Sequence, residues 1–150
     1  MIKFFLTRNV KKPNRNTIND AGIDFYIPSD WNDGKEYTIL PGESVLIPSG
    51  VKTRFSKGYM LVAHNKSGVA SKKGLIVGSS VVDYGYQGEI HINLWNVSNK
   101  PVTIAPNEKI VQFILVPAPS INPEFVESFE ELWETKTERG ENGFGSSDNT

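Results

Sequence analysis

The chain contains no cysteine, which excludes disulfides and thiolate chemistry and removes the usual ligands of structural zinc. Its two histidines, His64 and His91, stand far apart and lack the spacing of a paired metal site, so a zinc centre has no support. Long apolar runs are also missing. Residues 1–6 form too short an apolar stretch for a signal peptide, and nothing approaches the length of a membrane span. The expectation is a soluble, cytoplasmic protein with no membrane partner, its origin open to a virus or phage. The net charge is only −1, so no global field exists to hold a nucleic-acid backbone. There is no Walker-type loop and no Gly-x-Ser-x-Gly elbow. With no internal repeat and no linker, 150 residues suit a single domain with a real core.

What charge there is lies unevenly. Lys3, Arg8, Lys11, Lys12 and Arg15 fall in residues 1–15 without one acid, while residues 120–150 carry eight acids against Lys136 and Arg139. Such an asymmetry suits either two solvated ends or ends of neighbouring subunits that meet. Turn signals recur about every ten residues: Asn32-Asp33-Gly34, Pro41-Gly42, Pro48-Ser49-Gly50, Lys57-Gly58, Asn99-Lys100-Pro101 and Pro106-Asn107 among them. Between them lie short runs rich in β-branched and aromatic residues, at 44–47, 60–63, 89–95, 102–104 and 109–116. Ile90, Ile92 and Leu94 alternate with His91, Asn93 and Trp95, the two-residue period of a half-buried strand. The pattern predicts an all-β sandwich or barrel. Two segments admit helix. One is 67–73, with the Ser67 hydroxyl as its cap and Gly74 as its stop; the other is 125–133, where helical and extended readings compete. So much aromatic and apolar surface in a small β domain also points to an oligomer.

Three short stretches carry chemistry. Arg139-Gly140-Glu141-Asn142-Gly143-Phe144-Gly145-Ser146-Ser147 combines a guanidinium for phosphate, a ring for stacking and hydroxyl and backbone donors for an anion. Composition alone would make it a solvated tail. A second phosphate-suited loop, Asn65-Lys66-Ser67-Gly68-Val69-Ala70, sets a cation, a hydroxyl and free N–H groups at a helix start. In Val81-Val82-Asp83-Tyr84-Gly85-Tyr86-Gln87-Gly88-Glu89, two valines deliver a carboxylate to a strand end, and two glycines predict a tight hairpin. A carboxylate so held is able to deprotonate a water, though on its own it serves equally as a turn acceptor. Asp24, in Ala21-Gly22-Ile23-Asp24, reads as a turn or strand-end residue with some capacity for a metal.

Taken together and in this order, these stretches resemble the five motifs of the trimeric dUTP pyrophosphatase (dUTPase) family, with Lys109-Ile110-Val111-Gln112-Phe113-Ile114 as the fourth. The resemblance spans residues 20–147. It implies a distorted jelly-roll β domain over 1–138, one short helix, and a closing arm over 139–150. It further implies a homotrimer whose subunits share active sites, and Mg²⁺-dependent hydrolysis of dUTP to dUMP and pyrophosphate, which keeps uracil out of DNA. By the same resemblance Asp83 activates the water that attacks the α-phosphorus. Tyr86 packs under deoxyribose, while Val81, Val82 and the backbone from Tyr86 to His91 surround uracil. Lys66, Ser67, Gly68 and Gln112 serve the phosphates, and Arg139 reaches the terminal one. Phe144 stacks on the base, and Gly145, Ser146 and Ser147 close over the phosphates. Asp24 would hold magnesium through a water, the metal otherwise binding substrate phosphates. The family also makes 125–138 extended. Two residues depart from its pattern: Lys66 replaces an arginine and loses its bidentate fork, and Ser80 replaces a glycine, a strain if that backbone needs positive φ. Two rivals accompany this reading. A dCTP deaminase on the same fold would need a glutamate where Asn93 stands; a non-catalytic dUTPase-like regulatory module would act through protein contacts.

Overall fold

A computed structural model describes residues 1–141. Strands dominate: β1 (Ile2–Leu6), β2 (Ile23–Tyr26), β3 (Tyr37–Ile39), β4 (Ser44–Pro48), β5 (Val51–Phe55), β6 (Tyr59–Asn65), β7 (Leu75–Val77), β8 (Val81–Val82), β9 (His91–Asn96), β10 (Val102–Ile104) and β11 (Lys109–Pro117). Two short helices, α1 (Ser67–Lys73) and α2 (Phe129–Leu132), complete the described elements with a 3₁₀ turn at Trp31–Gly34. The chain divides into a unit of Met1–Pro119 and a second beginning at Ser120. Among the described residues no helix is long and apolar enough to cross a membrane.

In the first unit, four-stranded β2-β11-β6-β8 and three-stranded β4-β9-β7 carry most of the structure, flanked by the pairs β1-β5 and β3-β10. The nine residues of β11 are mostly β-branched and apolar, which suits a strand flanked by partners on both sides. The core lies between the strands. Phe25 and Phe113 touch with centroids 4.5 Å apart, and Phe4 meets Phe25 edge-on at 5.8 Å. Around them Ile27, Ile47, Leu61, Ile92, Leu94 and Ile104 are sealed from solvent. Of the three tryptophans only Trp31, half-buried beside Tyr37, packs against this core; Trp95 and Trp133 are exposed.

Several sequence expectations change on contact with the structure. The segment after Asp83 is not a paired hairpin, because β8 pairs with β6 while β9 belongs to the other sheet, between β4 and β7. The loop therefore bridges two sheets. Lys66, not Ser67, occupies the cap position of α1, with no side-chain capping bond; the end at Gly74 (φ 67°) is as expected. In the second unit the segment 125–133 holds one helical turn, Phe129–Leu132, between Ser128 and Trp133, which are both in extended backbone. Ser128 Oγ accepts the Glu131 N–H at 3.2 Å there, which is the first half of a capping box. Ser80 lacks the expected strain, since among the described residues the non-glycines at positive φ are Asn32, Asp33 and Asn107.

One buried side chain ties the sheets' loops together. Asn96 donates to the carbonyls of Ile39 (2.9 Å) and Lys100 (2.8 Å) and accepts from the N–H and hydroxyl of Ser98. Replacing it with leucine leaves a buried carbonyl unpaired. Asn96→Leu should lower unfolding free energy by about 3 kcal/mol in urea at fixed chain concentration. A loss under about 1 kcal/mol would remove Asn96 from this role.

Candidate active site

The loop after β8 walls a cavity of about 300 Å³ lined by Ser79 to Asp83, Tyr86, Ile90, His91 and Phe113. Val81, Val82, Asp83, Tyr86 and His91 are thus gathered at one hollow with buried Phe113, while Gln87, Gly88 and Glu89 do not line it. The loop's shape follows from its glycines. Gly85 has φ 93°, and a Cβ on Gly88 would sit 2.3 Å from the Tyr86 hydroxyl, so only glycine lets that ring fold back. The folded ring is pinned at both ends: Tyr86 N–H donates to Asp83 O (3.2 Å), and its hydroxyl donates to Glu89 O (3.0 Å). His91 Nδ1 lies 3.0 Å from the same carbonyl. A carbonyl only accepts, so Nδ1 carries the proton. Glu89 itself is anchored outside the cavity by Gly50 N–H (2.5 Å) and Arg8 (3.5 Å). Asp83 is exposed, and its carboxylate makes no hydrogen bond or ion pair among the described residues.

A second cavity of about 490 Å³ is lined by Asn16, Asp20, Ala21, Gly22, Asp24, Lys66, Lys109, Gln112 and Ile114. Here the first, second and fourth motifs converge. Asp24 is neither turn nor strand end; it is buried inside β2, where Lys66 binds its Oδ1 and Lys109 its Oδ2 at 2.9 Å. Gln112 Nε2 donates to Asn65 O at 2.9 Å, fixing the residue before Lys66. Its amide lies directly over Gly22, where a Cβ would stand 2.1 Å from Oε1, so glycine is required for close approach. At the rim, Thr17 bonds both oxygens of Asp20 and holds that carboxyl below its ordinary value. Ser67 and Gly68 follow Lys66 and are exposed.

The two cavities share no lining residue, and β11 explains why. Gln112 and Ile114 point to one face and Phe113 to the other. Across the sheet, Gln112 pairs with Asp24 and Phe113 with buried Ile23. Arg139 lies in the second unit and is exposed. Phe144, Gly145, Ser146 and Ser147 lie outside the described residues. Among the described residues no three acidic or histidine side chains converge on a metal position. Asp24 has both oxygens engaged by lysines, so the donor set fits a cation carried by a ligand's oxygens and waters rather than a protein cage.

Sequence reasoning missed Lys109 altogether. Its signal was present only as a lysine opening the fourth motif. The side chain reaches Asp24 because of a register shift between Lys109 and Val111. That bulge puts Lys109 opposite Tyr26, two residues from Asp24 and on the same face, whereas strict alternation would separate it from Gln112. The hydrogen bond to Asp24 raises the Lys109 ammonium above its ordinary 10.5; burial opposes it, and the charge of that carboxylate adds to it.

The sequence matches the dUTPase family over residues 8–148. It is 42% identical over 117 residues to the deoxyuridine 5'-triphosphate nucleotidohydrolase of Pseudomonas putida KT2440, covering 75% of this chain and 74% of that one. With the enzyme of the same name from Fusobacterium nucleatum it shares 37% identity over 146 residues, 96% of this chain and 94% of its relative. Among solved structures, the Staphylococcus bacteriophage 80alpha dUTPase with dUPNHPP superposes with a TM-score of 0.82, at 26% identity and 97% coverage of each chain.

A raised lysine contributes stability that is complete below its unfolded value and is lost as pH climbs through the folded one. The Lys109 Nζ resonance should therefore titrate above 10.5, and in Asp24→Asn it should return to the ordinary value. Identical titration in both proteins would deny the pairing in solution.

Proposed function

The chain belongs to the dUTPase family and hydrolyses dUTP to dUMP and pyrophosphate, and we propose that its two cavities are halves of one nucleotide site completed between subunits of a homotrimer. The observation that carries this reading is their position on opposite faces of β11 with no residue in common. One chain cannot direct both at a single small molecule. A second copy, presenting its phosphate side to the Asp83 loop of the first, can. The exposed Leu46 and Trp95 lie on one face of β4 and β9 and offer apolar surface for such a contact.

In this reading the smaller cavity takes the nucleoside. Val81, Val82 and the backbone up to His91 surround uracil, while the Tyr86 ring lies under deoxyribose and leaves no room for a 2′-hydroxyl. Asp83, exposed and unengaged, accepts a proton from water as the water oxygen bonds to the α-phosphorus. The bond from that phosphorus to the bridging oxygen breaks and pyrophosphate leaves. General-base help of this kind contributes about 10²–10⁴-fold; the rest comes from positioning and charge stabilisation. The larger cavity takes the phosphates, with Lys66, the Ser67 hydroxyl, the Gly68 N–H and Gln112 as donors. The arm completes the site: Arg139 on the terminal phosphate, Phe144 on the base, Gly145, Ser146 and Ser147 over the phosphate chain. Magnesium bound to the phosphate oxygens would neutralise charge that builds on the leaving pyrophosphate. Asp24 would hold one of its waters only after a lysine turned from its carboxylate to the phosphates.

The deaminase alternative loses its remaining footing at Asn93. That amide accepts from Ser79 N–H (3.1 Å) and donates to Val45 O (3.2 Å), a bracing role, and asparagine shuttles no proton. A regulatory module without catalysis would leave nucleotides intact.

Pyrophosphate release should be fast from dUTP, far slower from dTTP, dCTP and UTP, and abolished by EDTA. Asp83→Asn should bind dUTP normally while its kcat falls at least about 100-fold. Near-normal turnover in that variant would take the proton from Asp83 and give it to another group.

A further inference from the structure

We propose that Lys109 is a positioning residue for the phosphate site: it neutralises Asp24 so that Lys66 is released to the incoming nucleotide. The inference rests on the reading of the larger cavity given above and concerns what a lysine at position 66 requires.

Lys66 is committed in this structure. Its ammonium is bound to Asp24 Oδ1, a carboxylate whose side chain is only 8% exposed. An arginine there would present five donors in a fixed fork, so that one edge stays on Asp24 while another meets phosphate. A lysine is a compact point charge on a flexible stem, and it serves the phosphate well only by leaving the carboxylate. Leaving is costly if it strands a buried negative charge without a partner. Lys109 removes that obstacle, because it already holds Asp24 Oδ2 at 2.9 Å and keeps the carboxylate paired when Lys66 moves. The Asp24–Lys66–Lys109 cluster has one positive charge in excess, which the Asp20 carboxylate at the cavity rim balances, so an anion is met by exchange of Lys66 rather than by a net positive cavity.

The fold keeps Lys109 where this exchange needs it. The bulge in β11 turns it onto the Asp24 face. Its ammonium also sits 5.8 Å from the centre of the Tyr26 ring, and the Tyr26 hydroxyl is fixed by a 2.6 Å bond to Asn14. Lys11 lies 5.5 Å from the same ring and donates to Asn107 O (3.4 Å), so it makes no claim on Asp24. Lys66 has no comparable second hold among the described residues. Of the two lysines, it is the one free to transfer.

The test is steady-state dUTP kinetics on Lys109→Met, Lys109→Arg and the double variant Lys109→Met/Asp24→Asn, each checked for oligomer mass and melting temperature. Lys109→Met should raise KM at least about tenfold and change kcat by less than about threefold. Lys109→Arg should stay within about threefold of wild type in KM. Removing the carboxylate's charge in the double variant should bring KM part of the way back from the single variant, because nothing then detains Lys66, the remainder reflecting the magnesium water that Asp24 would no longer hold. A merely structural role would depress kcat and melting temperature together, with no recovery in the double variant. An unchanged KM in Lys109→Met, or a double variant no better than the single, overturns the proposal. If wild type itself releases no pyrophosphate from dUTP, the reading of the site fails instead. The exchange is then read from the Lys66 Nζ resonance under inorganic pyrophosphate: a shift in wild type that Lys109→Met lacks supports it, and equal behaviour refutes it.

Discussion

The arrangement depends on a single strand with two different faces. On one side β11 gives Phe113 to the core against Phe25, and on the other it gives Gln112 to a polar cavity. Strict alternation would have sent Lys109 away from Gln112, and one extra residue at the bulge brings it back. The core thereby fixes the polar side: moving Phe113 out of its contact would carry Gln112, Asp24 and both lysines out of register. Stability and chemistry are set by the same register, from opposite sides of one backbone.

Much of this was legible beforehand. The strand 102–104 was expected with the bounds it has, and the alternation of Ile92 and Leu94 with Asn93 and Trp95 appears in burial as read. Strands β1, β2, β3, β5 and β7 went unmarked. β5 interleaves Lys52 and Arg54 between apolar residues, and β7 is three residues long, so neither stands out from a loop by composition. Asp24 was misread because its meaning lies 42 residues away at Lys66, and sequence spacing carries no trace of an ion pair across a sheet. The bulge is invisible for the same reason, since it is a property of pairing and not of β11 alone. The glycines of the loop after Asp83 were seen, but their purpose was mistaken. They form no hairpin; they let Tyr86 lie back over Gly88 as the chain crosses between sheets.

The condition of the two half-sites fits the hydrolysis assigned to the family. Asp83 stands exposed and Lys66 is engaged by Asp24, so under the proposed trimer each would reach a working state only on assembly. Electrostatic catalysis needs donors and carboxylate held in a site from which water is largely excluded. Assembly and closure would supply that exclusion, and each chain alone would be an indifferent catalyst. Under the proposed exchange, a lysine at position 66 would change the timing of charge rather than its amount.

The central claim is that one chain's Asp83 works on phosphates held by another chain, and mixing two dead proteins tests it directly. Asp83→Asn and Gln112→Ala subunits, each assayed alone and then unfolded and refolded together, form mixed oligomers. Random assortment around a threefold axis predicts recovery to about a quarter of the wild-type rate, since a site works only where an intact Asp83 faces an intact Gln112. A mixture no more active than its two components would place both residues in one chain's site and contradict the account.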